Sequence, residues 1–374
     1  MMRRIVAPLI LPASALFLAL ITGAVFIVLS SPLVEGSFDL GLPLKAYAAL
    51  VSGSLLSTNG WIDTLVNASP LMLAGLSVAI CFKAGLFNIG AQGQTLIGAL
   101  AAAAAGAVLA TQPVPIAIVG ALLAGLVAGM LYGFIPGALK AFTGAHEVVT
   151  TIMLNYVAIQ VIAWAITGPL LAPGASFART SDVGSAALPV LLGPTGHHLH
   201  AGVLIALATI PIASWILNRS TIGFEVRTVG ANPDAARYAG MRPRLLTVGT
   251  LAVGGGLAGL AGTIEILGVS GYMPAAYATN IGFDAITVAL IGRANPFGVL
   301  FGALLLGALR AGAASMQIQA GIPVEMIDIL QGVMLFYLSA DVIVRRIFRL
   351  RKVEGGVDEL ATVSRSYGGQ TTAP

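Results

Sequence analysis

Four amide side chains lie in or beside apolar stretches of this sequence, where hydrogen-bonding groups are otherwise rare. They are Asn88, Gln92, Gln94 and Asn155. An amide both donates and accepts hydrogen bonds, so these residues suit the hydroxyls of a sugar or the edge of a nucleobase along a solute path. Hydrogen bonds between neighbouring membrane helices explain the same residues equally well, and both interpretations stay open.

Two aromatic residues near Asn155 extend this set. Tyr156 and Trp164 offer flat rings that can stack on a nucleobase. For Trp164, anchoring at a membrane–water interface is the favoured explanation, because tryptophan is enriched there.

Five charged residues also fall in or beside apolar stretches. They are Glu265, Asp284, Arg310, Glu325 and Asp328. A charge inside a bilayer costs about 2.5–3.5 kcal/mol on insertion scales, so each one calls for an explanation. An ion pair of Arg310 with Asp328 or Glu325, holding two helices together, is the favoured interpretation. The alternative is a polar outer vestibule that receives solute.

No catalytic arrangement of residues is visible. The sequence has no Gly-x-x-x-x-Gly-Lys-Ser/Thr phosphate loop, so we expect no ATP to bind by that route. His197, His198 and His200 are close together, but no cysteine or carboxylate at suitable spacing joins them. Solvated loop histidines are therefore favoured over a metal site. We expect a non-catalytic chain that binds no metal and no cofactor itself.

A polar connection, residues 218–245, contains the pattern of a short capped helix. Asn232 is a good N-cap, Pro233 suits the first helical position, and Asp234 complements the helix dipole. Gly240 ends the helix. The small face of Ala235, Ala236 and Ala239 would let another protein approach closely, and an ordinary loop helix is the alternative.

The composition places the chain in lipid. Hydrophobic residues make up 57% of it and charged residues 9%, with a mean hydropathy of +0.94. A soluble domain carries about 25% charged residues. The 46 glycines fit closely packed membrane helices. The basic residues behind the net charge of +4 lie at the ends of apolar stretches, so we expect no nucleic-acid partner.

About ten stretches are long or apolar enough to be membrane helices, given that about 20 residues cross a bilayer. They cover residues 8–30, 64–82, 89–110, 115–139, 147–168, 200–217, 246–268, 281–292, 297–316 and 325–344. The eighth is too short to cross alone, and Pro296 breaks the chain after it. The predicted fold class is an all-α integral membrane protein.

Sidedness follows from the lysines and arginines. With the N-terminus inside, nearly all of them fall on the cytoplasmic side, whereas Lys45 and Arg179 fall outside. Both termini are therefore predicted to be cytoplasmic. Residues 1–352 form the predicted transmembrane domain, and residues 353–374 form a polar tail that is predicted to be disordered.

A short pattern occurs twice. Residues 87–90 and 294–298 are Asn/Gly turns that each precede a helix rich in small residues. Interrupted hydrophobic segments at matching places are typical of transporters that are built as inverted repeats with broken helices.

Four stretches carry a resemblance to a known family, and they are residues 82–94, 147–156, 223–241 and 282–293. Together they resemble permeases of ATP-binding-cassette (ABC) importers of the ribose and branched-chain amino acid type. The closest likeness is to the larger permease subunit of nucleoside importers of the basic-membrane-protein type. It runs from about residue 60 to 345. Gln92 stands where a glutamate is expected, and Ala294 where a polar residue is expected.

The resemblance implies a translocation subunit for nucleosides or related small polar solutes in the bacterial cytoplasmic membrane. A ribose-type sugar permease is the alternative, and a secondary transporter without an ATPase is less favoured. The implied partners are an ATPase that holds ATP and Mg, a second, paralogous permease and an extracytoplasmic solute-binding protein. The residues implied in ATPase coupling are Gly230, Asn232, Pro233, Asp234, Ala235, Ala236, Tyr238 and Gly240.

Overall fold

A computed structural model of the chain describes residues 2–35, 38–193, 197–277, 279–340 and 344. The predicted tail, 353–374, lies outside these residues. The helices are α1 Met2–Glu35, α2 Leu42–Ser54, α3 Thr58–Lys83, α4 Ala91–Val108, α5 Val114–Ala138, α6 Glu147–Thr167, α7 Gly202–Arg219, α8 Thr221–Ala231, α9 Pro233–Tyr238, α10 Pro243–Glu265, α11 Ile281–Ile291, α12 Pro296–Ala320 and α13 Met326–Ser339. Two short strands, β1 Val190–Leu192 and β2 Leu199–His200, pair with each other.

The all-α membrane fold predicted from hydropathy is confirmed. In the described part of the chain, 8 helices are long and apolar enough to cross a bilayer, and α11 and α13 are shorter apolar helices. These ten correspond one to one with the predicted stretches. With 11 residues, α11 is as short as expected for the eighth stretch.

Contacts divide the described residues into two units. The first unit comprises the segments up to Ala68, 192–199 and from Phe301 onward. The second unit comprises Ser69–Leu191 and His200–Leu300. In the first unit α1 packs along α13, where the Thr22 and Tyr337 hydroxyls lie 3.1 Å apart.

Small residues hold the second unit together. In α5 they recur at every fourth position, so they line one buried face of the helix. They are Ala117, Ala121, Gly125, Gly129, Gly133 and Gly137. This face lies directly on the backbone of α10 around Gly255 and Gly259, where a Cβ at Gly129 would collide with the Gly255 carbonyl. The glycine content thus allows two antiparallel helices to pack backbone to backbone.

The two similar turns found in the sequence connect helices in the same way. The first joins α3 to α4, and the second joins α11 to α12. In the second turn, Arg293 and Ala294 adopt left-handed backbone angles, with φ of 49° and 52°. Asparagine tolerates this conformation better than alanine, which gives a physical reason for a polar residue to be expected at Ala294. The inverted repeat as a whole stays a prediction.

Candidate functional site

The capped helix expected around Asn232 is present as α9. The Asn232 side-chain oxygen accepts hydrogen bonds from the backbone N–H groups of Asp234 and Ala235, both at 3.0 Å. Pro233 occupies the first turn. At the other end, Gly240 has a φ of 82°, and the Met241 N–H donates to the Ala236 carbonyl at 3.0 Å. Both ends of this short helix are thereby closed by its own residues.

The helix α8 precedes α9 and was not separately predicted. Its N-cap is Ser220, whose hydroxyl oxygen accepts a hydrogen bond from the Gly223 N–H at 3.0 Å. Gly223, Val226 and Val229 are buried and recur every three residues, so α8 lies with one face on the rest of the second unit. We call α8 and α9 together the coupling segment.

The prediction that α9 exposes a face of three small residues is wrong for Ala236. Ala236 is 0% exposed, because a two-turn helix lying on the protein must bury one side and the methyl group of Ala236 is on that side. Ala235 and Ala239 remain exposed. Tyr238 is 95% exposed, so α9 presents an aromatic ring to any partner that docks there.

The coupling segment touches the turn that follows α3. A Cβ at Gly230 would collide with the backbone of Lys83, and one at Gly85 would lie 3.0 Å from the Gly230 carbonyl oxygen. Gly85 has a φ of 69°, which glycine adopts without strain. Buried apolar side chains complete this contact, and they are Cys81, Ala84, Leu86, Val226 and Leu251.

The same turn leads to the predicted amides, since Asn88 lies in it and Gln94 in the first turn of α4 that follows. Asn88 and Gln94 pair reciprocally, with the Asn88 amide donating to Gln94 at 2.8 Å and the Gln94 amide donating to Asn88 at 3.2 Å. Asn155 of α6 accepts from the Gly93 N–H at 2.8 Å and donates to the Ile89 carbonyl at 3.1 Å. The segment around residues 88–94 is therefore tied to α6 by side-chain hydrogen bonds.

Gln92 links this segment to α11. Its side-chain oxygen accepts from the Gly282 N–H at 2.9 Å, and its amide donates to the Thr279 carbonyl. Gln92 thus satisfies a backbone N–H in the first turn of α11, which has no partner inside the helix. All four predicted amides are at most 5% exposed and bonded within the chain. Hydrogen bonds within the chain, as in one of the two interpretations, are thus present for all four, and contact with solute stays a prediction.

The five predicted charged residues are distributed over both units. Glu265 and Asp284 lie in the second unit, whereas Arg310, Glu325 and Asp328 lie in the first. Asp284 is buried in the first turn of α11. Glu325 and Asp328 are exposed at the start of α13, where the helix dipole favours carboxylates. The ion pair of Arg310 with Asp328 or Glu325 stays a prediction.

The three histidines differ from the expected solvated cluster. The His197 ring nitrogen lies 2.8 Å from an Asp63 carboxylate oxygen within the first unit, and His198 is exposed. His200 is 0% exposed because it fits where Gly202 and Gly268 leave space beside its ring. Burial lowers the pKa of His200 to about 4. Among the described residues, no group of three or more metal-ligating side chains occurs.

Two polar side chains that the sequence analysis did not single out lie near these elements. Lys140, in the π-helical turn that ends α5, forms a 2.8 Å ion pair with the buried Glu147 at the start of α6. Gln160 lies exposed on α6 between Tyr156 and Trp164. The four-residue spacing of Tyr156, Gln160 and Trp164 is the sequence signal that indicates a shared face.

Comparison with known proteins shows which family the chain belongs to. The model of the branched-chain amino acid transport system permease component matches residues 60–339. The chain belongs to this permease family. The permease is therefore a multi-pass protein of the cytoplasmic membrane, and its family works with an ATPase and a solute-binding protein.

Named relatives of this permease include nucleoside and sugar systems. It is 36% identical to the guanosine ABC transporter permease protein NupP of Bacillus subtilis, over 93% of this chain and 97% of the relative. It is 35% identical to the glucose ABC transporter permease protein TsgB13 of Haloferax volcanii, over 79% and 80% of the two chains. It is 32% identical to the nucleoside ABC transporter permease protein NupB of Lactococcus lactis, over 81% and 85%.

Proposed function

We propose that this permease forms part of the translocation path of an ABC importer for nucleosides. The observation that carries the proposal is the near full-length similarity to a guanosine permease, at 36% identity over 93% of the chain. The similarity to a nucleoside permease at 32% identity supports the same solute class. The permease itself is non-catalytic in this proposal, and ATP and Mg bind to the partner ATPase.

The coupling segment is the proposed docking point for the ATPase. Both ends of α9 are capped by its own residues, so the helix can keep its shape while a partner pushes on it. The 95% exposed ring of Tyr238 suits a pocket on a partner, since tyrosine is enriched among residues that dominate interface energies. The other side of the segment lies on the Gly85 turn. A movement of α9 would therefore be passed through this turn to residues 88–94 and, through their hydrogen bonds with Asn155, to α6.

The other proposed partners are a second, paralogous permease chain and an extracytoplasmic binding protein. We propose that the binding protein delivers the nucleoside and that the two permeases together enclose its path. Similarity to two guanosine permeases of Bacillus subtilis supports this arrangement, namely NupP at 36% and NupQ at 25% identity.

A simple-sugar permease is the second candidate, favoured by the 35% identity to a glucose permease. A thermal-shift screen of the cognate binding protein against nucleosides, free bases, pentoses and glucose separates the two. We expect stabilisation by nucleosides. A response to sugars alone would replace the nucleoside proposal with the sugar one. Copurification of an ATPase with the permease tests the ABC mechanism against an ATPase-independent transporter.

A further inference from the structure

One face of α6 combines an exposed amide with two exposed aromatic rings. Gln160 lies in this helix with Tyr156 and Trp164 four residues to either side, and the two rings are 64% and 68% exposed. Residues spaced by four share one helix face. Together with Val157 and Val161 they line a shallow groove of about 400 Å³.

The amide makes this face a poor surface for lipid. Among the described residues of the eight long apolar helices, Gln160 is the one exposed amide or charged side chain more than a turn from a helix end. Removing an amide from water without a hydrogen-bond partner is costly. On α5, by contrast, the exposed side chains in the middle of the helix are aliphatic, such as Leu123, Val127 and Leu131. A solute or a protein partner explains Gln160 better than lipid does.

The almost wholly apolar groove fits the face of a planar ring, and the exposed Gln160 side chain on the same helix face adds a hydrogen-bonding group. Aromatic faces stack on bases with little dependence on the base. An amide presents a donor and an acceptor side by side, which matches the edge of a nucleobase. We propose that Tyr156, Gln160 and Trp164 bind the nucleobase of the transported nucleoside on its way through the permease.

The opposite face of α6 connects this site to the coupling segment. Asn155, adjacent to Tyr156 in sequence, bonds to Gly93 and Ile89. That segment follows the Gly85 turn, which the coupling segment touches at Gly230. If the ATPase moves the coupling segment and α6 rotates in response, the groove would therefore change its orientation toward the solute. This inference rests on the proposed nucleoside function and adds residues that contact the solute.

The test uses the assembled importer, reconstituted in proteoliposomes with its ATPase, second permease and binding protein. ATP-driven uptake of radiolabelled guanosine and adenosine is measured for wild type, Gln160→Leu and Trp164→Leu. Ile159→Leu is the matched control, since Ile159 is 49% exposed on the same helix and carries no polar group. We expect Gln160→Leu to lower subsaturating nucleoside uptake about 10-fold, the order expected for losing a bidentate base contact. Ile159→Leu should transport as wild type does.

A second variant, Gln160→Glu, tests the hydrogen bonds to the base rather than the shape of the groove. In Gln160→Glu an ionised carboxylate only accepts, so the ratio of guanosine to adenosine uptake should rise, because guanine presents two adjacent donors. Unchanged nucleoside uptake by Gln160→Leu would overturn the site. Loss of the second permease from the Gln160→Leu complex would also overturn it, because Gln160 would then hold the two subunits together rather than bind the base. If the wild type takes up sugars and no nucleoside, the proposed function fails first, and the nucleobase site fails with it.

Discussion

Gly230 of the coupling segment lies against Gly85 of the turn after α3, so that a Cβ at Gly85 would be 3.0 Å from the Gly230 carbonyl oxygen. This contact joins two parts of the chain that are far apart in sequence. One part is exposed at α9, and the other leads to the buried amides of residues 88–94. Since backbone rather than flexible side chains meets here, the contact can transmit a push with little slack.

Gly230→Ala should damage this contact. Its Cβ would collide with the backbone of Lys83, so we expect a loss of about 1–3 kcal/mol in stability and reduced ATP-driven uptake. Gly249→Ala is the matched control, because a Cβ at Gly249 in α10 meets nothing within 4 Å. Thermal unfolding in detergent and uptake in cells measure both effects. Equal behaviour of the two variants would mean that the close approach at Gly230 is unimportant.

Tyr238→Ala should impair coupling without unfolding the permease. The ring is 95% exposed, so its removal costs little stability in the isolated chain. If it fills a pocket on the ATPase, losing it should weaken that association by about 2 kcal/mol, or roughly 30-fold. Binding of the purified ATPase is the measurement. Phe301→Ala, at a 68% exposed ring on α12, is the control that should bind normally.

Asn155→Leu separates the two interpretations of the amides. The variant would remove the partner of the buried Gly93 N–H, at about 1–3 kcal/mol, and that of the part-buried Ile89 carbonyl, at less than this. We expect a lower melting temperature and less assembled protein, but normal nucleoside affinity in the importer that does assemble. Met153→Leu, exposed on the same helix, should change neither property. A selective rise in KM at full stability would instead place Asn155 in contact with solute.

His200 predicts a pH dependence of stability. Its pKa is lowered to about 4 in the folded protein, below the unfolded value of about 6.5. The unfolded chain therefore binds the proton first as pH falls from about 6.5 to 4, and stability decreases by up to about 1.4 kcal/mol per pH unit. His200→Phe removes this titration. Melting curves at pH 7.5 and 5 should converge in the variant, and an unchanged pH difference would exclude His200 as its source.

The helices and the capped end of the coupling segment could be predicted from the sequence, because hydropathy and local capping depend on neighbouring residues. Pro296 likewise marked α11 as a short helix. The burial of Ala236 could not be predicted, because it depends on how α9 lies on the rest of the protein. The same holds for Gln92, whose partners at Thr279 and Gly282 are nearly 190 positions away.

The exposure of Gln160 could not be predicted for a related reason. Asn155 lies within residues 147–156, which resemble a known family. Gln160 lies outside that stretch, and whether its side chain is exposed depends on which face of α6 the other helices leave uncovered. The glycine pattern of α5 could be read as a close helix contact, but only the structure identifies α10 as the helix that it meets. Sequence patterns thus predict the helices and their caps, whereas the burial and the partners of a residue depend on how the helices pack.

ATP-driven transport in a defined system tests the central claim most directly. The permease is reconstituted with its ATPase and second permease, and guanosine accumulation is followed with the binding protein present. We predict accumulation that requires both ATP and the binding protein and that stops when the ATPase is inactivated. Guanosine accumulation that persists without ATP, driven by an ion gradient alone, would contradict the account.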